Sequence, residues 1–324
     1  MIESRPAPLL KKPDTRNVKW ERVLSAGSLL CLTLQNTSLV FLMKYSYRPS
    51  APVYSASSAV MVAEAVKFSI CFLYVLATSG KSEAWKILRA TPTQSSLSLP
   101  CVLYVAQNNL LFDAVKNLPT TLYVVCSQGK ILTSAFFSYA LLGSKTSNIR
   151  IIALVLLMGG MVMVQAPGRG YEALYQKPEG NTMRGLCSIL LACLTSGFAG
   201  VYLEKLYKSG TESKSLWAKN MQLSCFSLPL SFLLASQRNA SSFGDLFSGY
   251  DTVVVGVILL QAMGGLIVAL VMRYASTILK CFAVSASICL CTVISITGGQ
   301  EDLTAKKIVG ISIVNVATLL YGMQ

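Results

Sequence analysis

Residues 104–130 read YVAQNNLLFDAVKNLPTTLYVVCSQGK and place polar side chains inside apolar runs. Amide side chains cluster in the first half, Pro119 interrupts the middle, and Lys130 lies within the next apolar run. A lysine surrounded by lipid costs about 3 kcal/mol, so such a residue usually faces the bundle interior or a water-filled cavity. An anion is its natural partner there. The stretch predicts a membrane carrier whose central cavity holds an anionic solute.

The composition is that of a polytopic membrane protein. The 324 residues are 53% hydrophobic and 13% charged, whereas soluble proteins average about 25% charged residues. The net charge is +14, and there is no histidine. This absence excludes histidine-based acid–base chemistry and histidine-ligated metal sites. No phosphate-binding loop and no pair of catalytic carboxylates occurs, so we expect neither an enzyme nor a cofactor or metal site.

The ten cysteines lie almost all in apolar runs. This pattern favours small buried side chains over a disulfide framework. The polar, basic arm at residues 1–22 does not resemble a cleavable signal peptide, so the first apolar segment is expected to be retained. Residues 23–324 are expected to form one transmembrane domain.

The predicted fold is all-α with ten transmembrane helices. A spanning helix needs about 20 mostly apolar residues. The segments that satisfy this are Val23–Tyr45, Val53–Ser79, Leu97–Lys116, Thr120–Leu142, Ile149–Gln165, Gly185–Tyr207, Leu216–Ser236, Thr252–Tyr274, Thr277–Thr297 and Ala305–Tyr321. The distribution of Lys and Arg over the loops favours both termini in the cytosol. In this topology the acceptor sequence at Asn239 for N-glycosylation lies in a lumenal loop.

Ten spans divide into two halves of five, residues 23–165 and 183–323. Because each half has an odd number of spans, the two halves have opposite orientations, as in transporters built from inverted repeats. Lys130 in the fourth span and Lys280 in the ninth then occupy equivalent helices. Either lysine could instead reach a membrane interface with its long side chain.

Two further groups of polar residues are candidates for a site. Glu64 and Lys67 are neighbours on one helix face, and they form either an ion pair within the bundle or a gate that faces the cavity. Gln107, Asn108 and Asn109 could bind a nucleobase edge through their amides, with Tyr104 stacking nearby, or they could bond helix to helix. The glycine pair at 264 and 265 permits either close helix packing or bending.

At these residues the chain resembles the nucleotide-sugar transporters of the drug/metabolite transporter superfamily. The motifs that carry the resemblance are LQNTSL (34–39), AEAVK (63–67), YVAQNN (104–109), NLP (117–119), QGK (128–130), SGFAGVYLEK (196–205), LWAKN (216–220), QAMGGL (261–266), RYA (273–275) and ILK (278–280). The resemblance covers nearly the whole chain. It departs at Gly129, where the family usually has a larger apolar residue, and at Cys281, where it has glycine.

The resemblance implies a Golgi carrier that exchanges a cytosolic nucleotide sugar for a lumenal nucleoside monophosphate; a location in the endoplasmic reticulum is the alternative. It implies that the nucleotide site is lined by Tyr104, Gln107, Asn108, Tyr123, Lys130, Asn220 and Lys280. Gln35 and Gln261 are similar to the branch that carries UDP-galactose and UDP-N-acetylglucosamine in exchange for UMP. They join Glu64, Lys67, Gly264 and Gly265 as candidates for a gate or for contacts with the sugar.

Other functions are compatible with the same sequence. A CMP-sialic acid/CMP antiporter and a carrier of another anionic solute would have the same architecture. A membrane scaffold that anchors glycosyltransferases would explain the packing glycines but not the lysines within spans. A homodimer or a glycosyltransferase partner is compatible with a carrier, and no nucleic-acid partner is expected.

Overall fold

Eleven α-helices and one short 3-10 turn make up the part of the chain that the computed structural model describes. The described residues are 15–46, 48, 52, 54–90, 95–144, 147–165, 181–208, 214–236, 247–298 and 303–323. The helices are α1 (Thr15–Ser46), α2 (Ala56–Ala90), α3 (Ser98–Asn117), α4 (Thr120–Ser127), α5 (Gly129–Leu142), α6 (Asn148–Gln165), α7 (Thr182–Lys208), α8 (Lys214–Ser236), α9 (Thr252–Tyr274), α10 (Thr277–Thr297) and α11 (Ala305–Gly322). The 3-10 turn is Ser95–Leu97.

The apolar segments become helices close to their predicted limits. α9 and α10 begin and end at the predicted residues. Helix α1 begins at Thr15, so the end of the predicted arm is helical. In α2 the backbone leaves helical geometry at Gly80, whose φ is 80°, just after the predicted end of that span. Glycine suits this position because a positive φ carries no steric cost without a Cβ.

The predicted fourth span, Thr120–Leu142, is two helices rather than one. Helix α4 ends at Ser127 and α5 begins at Gly129. Around Gln128 the backbone bonds reach three residues instead of four: Gln128 N–H donates to Val125 (3.3 Å), and Ile131 N–H donates to Gln128 (3.0 Å). Backbone hydrogen bonds that span three residues belong to 3-10 geometry. An apolar sequence pattern does not predict where such geometry interrupts a helix.

Side-chain caps and short connections set the order of neighbouring helices. Asp251 accepts a hydrogen bond from Val254 N–H at the start of α9. Ser276 does the same for Leu279 N–H at the start of α10. Only two residues separate α3 from α4 and α9 from α10, so each pair of helices is joined by a tight turn.

Most of the close helix contacts join the first half of the chain to the second. The packed pairs are α1 with α9 and α10, α2 with α8 and α9, α3 with α7, α5 with α7, and α6 with α11. In the last pair Gly160 and Gly310 lie backbone to backbone, since a Cβ on Gly310 would lie 2.9 Å from the Gly160 carbonyl oxygen. Small residues allow helices in a membrane to approach this closely.

The protein is a multi-pass membrane protein whose described secondary structure is entirely helical. Among the described residues, seven helices are long and apolar enough to cross a membrane: α1, α2, α6, α7, α9, α10 and α11. The other three predicted spans correspond to α3, to α4 with α5, and to α8. Helix α3 carries the amide residues at positions 107–109, and α8 contains Pro229.

Candidate functional site

A cavity of about 220 Å³ is lined by both Lys130 and Lys280. We call it the lysine cavity. Its other lining residues are Gln128, Ile131, Ser134, Met161, Ser196, Thr277, Cys281, Val284, Ser285 and Ile288. No carboxylate occurs among these residues, so no lining residue can neutralise either lysine. The cavity is therefore a cationic pocket with hydroxyl and amide groups around it.

The break between α4 and α5 places Lys130 in this cavity. Gln128 lies at the break and is buried, whereas Lys130 in the first turn of α5 is exposed to the cavity space. The Lys130 carbonyl oxygen accepts hydrogen bonds from the hydroxyls of Thr133 (3.1 Å) and Ser134 (2.7 Å). These bonds anchor the first turn of α5, the turn that carries the lysine.

Lys280 is positioned by a buried carboxylate on α7. One oxygen of Glu204 accepts the N–H of Thr277 at the start of α10 (2.6 Å), and the other lies 2.5 Å from Lys208 Nζ. The Glu204 residue is only 1% exposed. One turn earlier on α7, Gly200 leaves room for α10, since a Cβ there would lie 3.0 Å from the Thr277 methyl and 4.0 Å from Lys280 Nζ.

Glu204 was missed as a functional residue, although one signal was available. It is the only carboxylate in the predicted sixth span, Gly185–Tyr207. An acidic side chain inside a membrane segment is costly unless it is paired. Its partner, the start of α10, is 73 residues away in the chain, so the sequence offered no means of finding that contact.

A second cavity of about 350 Å³ lies among α2, α3, α7, α8 and α9. We call it the carboxylate cavity, because Glu64 lines it. Its lining residues are Val60, Glu64, Lys67, Cys101, Tyr104, Leu203, Tyr207, Asn220, Leu223, Ser227, Leu230, Ser231, Gly265, Val268 and Ala269. The predicted contact between Glu64 and Lys67 is an ion pair of 2.6 Å, and the Ser227 hydroxyl donates to the other Glu64 oxygen at 2.5 Å.

Asn220 combines full burial with unused hydrogen-bonding capacity in this cavity. It is 1% exposed, and its Oδ1 accepts the hydroxyl proton of Tyr207 at 2.9 Å. Its Nδ2 has no hydrogen-bond partner among the described residues. A buried amide donor without a partner costs about 1–3 kcal/mol. A solute in the cavity could recover that energy by accepting a hydrogen bond.

The predicted gate residues meet at the glycine pair of α9. A Cβ on Gly264 would lie 2.5 Å from Gln35 Nε2, which donates to the Leu260 carbonyl oxygen at 2.9 Å. A Cβ on Gly265 would lie 3.0 Å from Lys67 Cδ. The absence of a side chain at the two glycines therefore leaves room for Gln35 of α1 and Lys67 of α2. Gln261 is half-buried on the same helix but lines neither cavity.

The other predicted nucleotide-site residues are more dispersed. Tyr123 packs with Ala114, Leu118 and Ile189. Gln107 is half-buried, and its Oε1 is a buried acceptor without a partner in the described structure. Neither residue lines the two cavities. The side chains of Asn108 and Asn109, and the whole of Asn239, lie outside the described residues.

Two ion pairs join helices of different halves near their ends. Arg48 lies 2.9 Å from Asp251, at the end of α1 and the start of α9. Arg184 at the start of α7 lies 2.8 Å from Asp113 near the end of α3. The Val254 N–H, and then the Arg48 guanidinium, hold the pKa of Asp251 below its ordinary value. This carboxylate is therefore charged at neutral and mildly acidic pH.

The model of the family described as nucleotide-sugar transporter matches residues 21–322. The chain belongs to this family. Among curated relatives, a UDP-N-acetylglucosamine/UDP-N-acetylgalactosamine transporter of Caenorhabditis elegans is 38% identical over 92% of this chain and 93% of the relative. A UDP-N-acetylglucosamine transporter of Rattus norvegicus is 39% identical over 91% and 94%. A UDP-galactose translocator of Mus musculus is 37% identical over 93% and 79%.

A solved crystal structure has the same fold as this nucleotide-sugar transporter. It superposes with a TM-score of 0.66 and covers 94% of this chain and 97% of its own, at 11% sequence identity. An identity this low supports the fold alone. The family membership agrees with the resemblance identified from the sequence motifs, and the relatives are named as transporters rather than enzymes.

Proposed function

We propose that this protein carries a UDP-sugar, UDP-N-acetylglucosamine or UDP-galactose, into the Golgi lumen in exchange for UMP. The observation that carries the proposal is the lysine cavity, in which Lys130 and Lys280 converge without a carboxylate. The names of the relatives favour UDP-sugars as the substrate class. Lysine is a common partner for phosphate groups.

Charge balance explains why such a carrier would exchange rather than leak. A phosphate monoester carries about −1.5 to −2 charges at neutral pH, which two ammonium groups would neutralise. In the empty carrier Lys130 and Lys280 would have no counter-charge while the site is closed to water on both sides, at about 3 kcal/mol each. An occupied carrier would therefore change conformation more readily than an empty one. The same two lysines serve UMP and a UDP-sugar, so the two solutes compete for one site.

The carboxylate cavity would hold the part of the solute that carries no phosphate. Tyr104 offers an aromatic face, and the free Nδ2 of Asn220 offers a hydrogen-bond donor. Both residues belong to the nucleotide site that the family resemblance implies. We therefore propose that the two cavities are compartments of one substrate site.

We propose that the ten spans form two inverted repeats. In this scheme α1, α2, α3, α4 with α5, and α6 correspond to α7, α8, α9, α10 and α11, respectively. Exchanging the halves converts the packed pair α1–α9 into α7–α3 and α1–α10 into α7–α5, and leaves α2–α8 and α6–α11 unchanged. All of these pairs occur. Alternating access would then arise from rocking of one repeat against the other.

With both termini in the cytosol, as proposed from the loop charges, the pairs Arg48–Asp251 and Arg184–Asp113 would lie at the lumenal ends of their helices. Each pair joins the two repeats. They would hold the lumenal side together in the conformation described here and would have to separate when the site opens to the lumen.

The test is uptake of labelled nucleotide sugars into proteoliposomes that are preloaded with UMP, CMP or buffer. We expect UMP to stimulate uptake of UDP-N-acetylglucosamine or UDP-galactose. Stimulation by CMP together with uptake of CMP-sialic acid would replace the UDP-sugar with the CMP-sugar assignment. Transport of no nucleotide sugar by folded protein would refute the proposed function.

The lysine variants sharpen this test. Lys130→Ala and Lys280→Ala should each raise the UMP concentration for half-maximal exchange roughly tenfold or more, because each removes a charged hydrogen-bond donor. Lys306→Ala is the matched control, since Lys306 is an exposed lysine in the first turn of α11. Unchanged kinetics in Lys130→Ala would remove that residue from the site.

A further inference from the structure

The break between α4 and α5 leaves the Ser127 carbonyl group without its helical donor, and one thiol lies against it and the neighbouring carbonyl. Ile131 N–H bonds to Gln128 instead of reaching back to Ser127. The Cys193 Sγ of α7 lies 3.4 Å from the Cys126 carbonyl oxygen and 3.7 Å from that of Ser127. Cys193 is only 4% exposed. The thiol therefore lies against the Ser127 carbonyl, which lacks the Ile131 N–H as a donor, and against the Cys126 carbonyl, which also accepts from the Gln128 N–H.

Helix α5 also donates a hydrogen bond to Cys193. The Thr133 hydroxyl of α5 donates to the Cys193 carbonyl oxygen at 2.7 Å. A Cβ on Gly197 would lie 2.5 Å from Thr133 Oγ1 and 2.8 Å from the Thr133 carbonyl carbon, so the two helix backbones touch there. Helix α7 therefore contacts the end of α4 and the first turns of α5, on either side of the break next to Lys130.

The direction of Lys130 depends on this break. A residue in 3-10 geometry advances the chain by about 120° around the helix axis, whereas an α-helical residue advances it by about 100°. If α4 and α5 joined into a continuous α-helix, each residue that changed from 3-10 to α geometry would rotate Lys130 by about 20° around the helix axis relative to α4. Carbonyl groups without donors in an apolar setting are costly, so loss of the thiol donor favours that rearrangement.

We propose that Cys193 is a positioning residue for Lys130: its thiol stabilises the α4–α5 break and thereby aims the lysine into the cavity. The assignment of Lys130 as an anion-binding group rests on the proposed function, but the direction of its side chain does not. The competing explanation is that Cys193 is a small apolar residue that only fills space, which is the ordinary role of a buried thiol.

Three variants separate the two explanations. Cys193→Val keeps an apolar side chain of similar size and removes the donor, whereas Cys193→Ser restores a donor. Cys187→Val is the matched control, because Cys187 is an exposed cysteine on the same helix. If Cys193 only fills space, Cys193→Val should be the milder change. If it donates, Cys193→Ser should be.

The first readout does not need transport. Amine-specific acetylation of Lys130 is followed by peptide mass spectrometry, with Lys306 as the internal reference. We expect Cys193→Val to change the acetylation rate of Lys130 by roughly twofold or more, because the variant loses one net hydrogen bond. Cys193→Ser and Cys187→Val should leave it at the wild-type value. An unchanged Lys130 rate in Cys193→Val overturns the inference, whatever the transport result.

The second readout is the kinetics of UMP-stimulated exchange. Cys193→Val should raise the half-saturating UMP concentration roughly fivefold, with little change in the maximal rate per folded protein. In the Lys130→Ala background the same substitution should have no further effect, because residues that act through one another are not additive. An equal loss in that background means that the role is structural only and overturns the inference.

A fourth variant covers failure of folding. If Cys193→Val is not monodisperse, Cys193→Ala removes the donor without adding bulk, and its Lys130 acetylation rate replaces that of the valine variant. A wild-type rate in Cys193→Ala overturns the inference. Absence of nucleotide transport by the wild-type protein refutes the proposed function instead.

Discussion

Replacing Glu204 by alanine should lower the stability of this transporter more than any exposed charge substitution. The carboxylate is 1% exposed and joins α7 to the start of α10 through the Thr277 N–H at 2.6 Å. It also lies 2.5 Å from Lys208 Nζ. Removing it leaves a buried backbone donor and a partly buried ammonium group without their acceptor.

The magnitude follows from the two lost contacts. A buried N–H left without an acceptor costs about 1–3 kcal/mol. The side chain of Lys208 is 39% exposed, so solvent screening limits the loss of that ion pair to about 1 kcal/mol. Together they lower the free energy of unfolding by about 3 kcal/mol. At about 2 °C per kcal/mol for a chain of this size, the unfolding midpoint should fall by about 6 °C.

The assay is thermal unfolding of purified protein in detergent, without ligand. Glu83→Ala is the matched control, because Glu83 also pairs with a lysine of its own helix, Lys86, but at 3.5 Å and with both side chains exposed. We expect that variant to unfold within about 1 °C of the wild type. Glu204→Gln, which keeps an acceptor oxygen for the Thr277 N–H, should lose about half as much as Glu204→Ala. If Glu204→Ala and Glu83→Ala unfold at the same temperature, the buried cap does not stabilise α10.

Two further predictions concern α9. Gly264→Ala should impair folding or exchange because its methyl group would lie 2.5 Å from Gln35 Nε2, whereas Gly159→Ala, which meets nothing within 4 Å, should be neutral in the same assays; equal behaviour of the two variants would contradict the proposed seating of Gln35. The pKa of Asp251 is held low, so the stability it contributes is present above its unfolded pKa and is lost only as the pH falls through the folded pKa. The difference in unfolding midpoint between wild type and Asp251→Asn, a variant that retains a capping oxygen, should be constant above about pH 5 and shrink below about pH 4; a difference that disappears between pH 6 and 8 would show that another group is responsible.

The apolar pattern predicted where helices lie, because the need to bond every backbone group within a membrane leaves few alternatives to a helix. It did not predict the break at Gln128, since Val124–Gly129 contains no proline and the adjacent residues are apolar enough for one continuous span. The break depends on donors from α7, and Cys193 is 67 residues away from the carbonyl group it reaches. The residues adjacent to the break do not indicate a contact with a residue so distant in the sequence.

The same division applies to the candidate site. The spacing of Glu64 and Lys67 predicted their ion pair, because the interaction lies within one helix turn. Gly264 and Gly265 were predicted as candidates for packing, bending or a gate, but the structure alone shows which side chains they accommodate. Glu204 and Ser227 acquire their roles from partners on other helices.

The sequence by itself determined that the chain is an all-helical membrane protein with lysines placed where lipid would not tolerate them, since periodicity, length and the cost of buried charge are local properties. Tertiary structure decided that Lys130 and Lys280, 150 positions apart in the sequence, line the same cavity. It also decided that Tyr104 and Asn220 line the second cavity instead. The physical reason is that helix packing, through glycine contacts and caps contributed by distant residues, sets which helix faces converge.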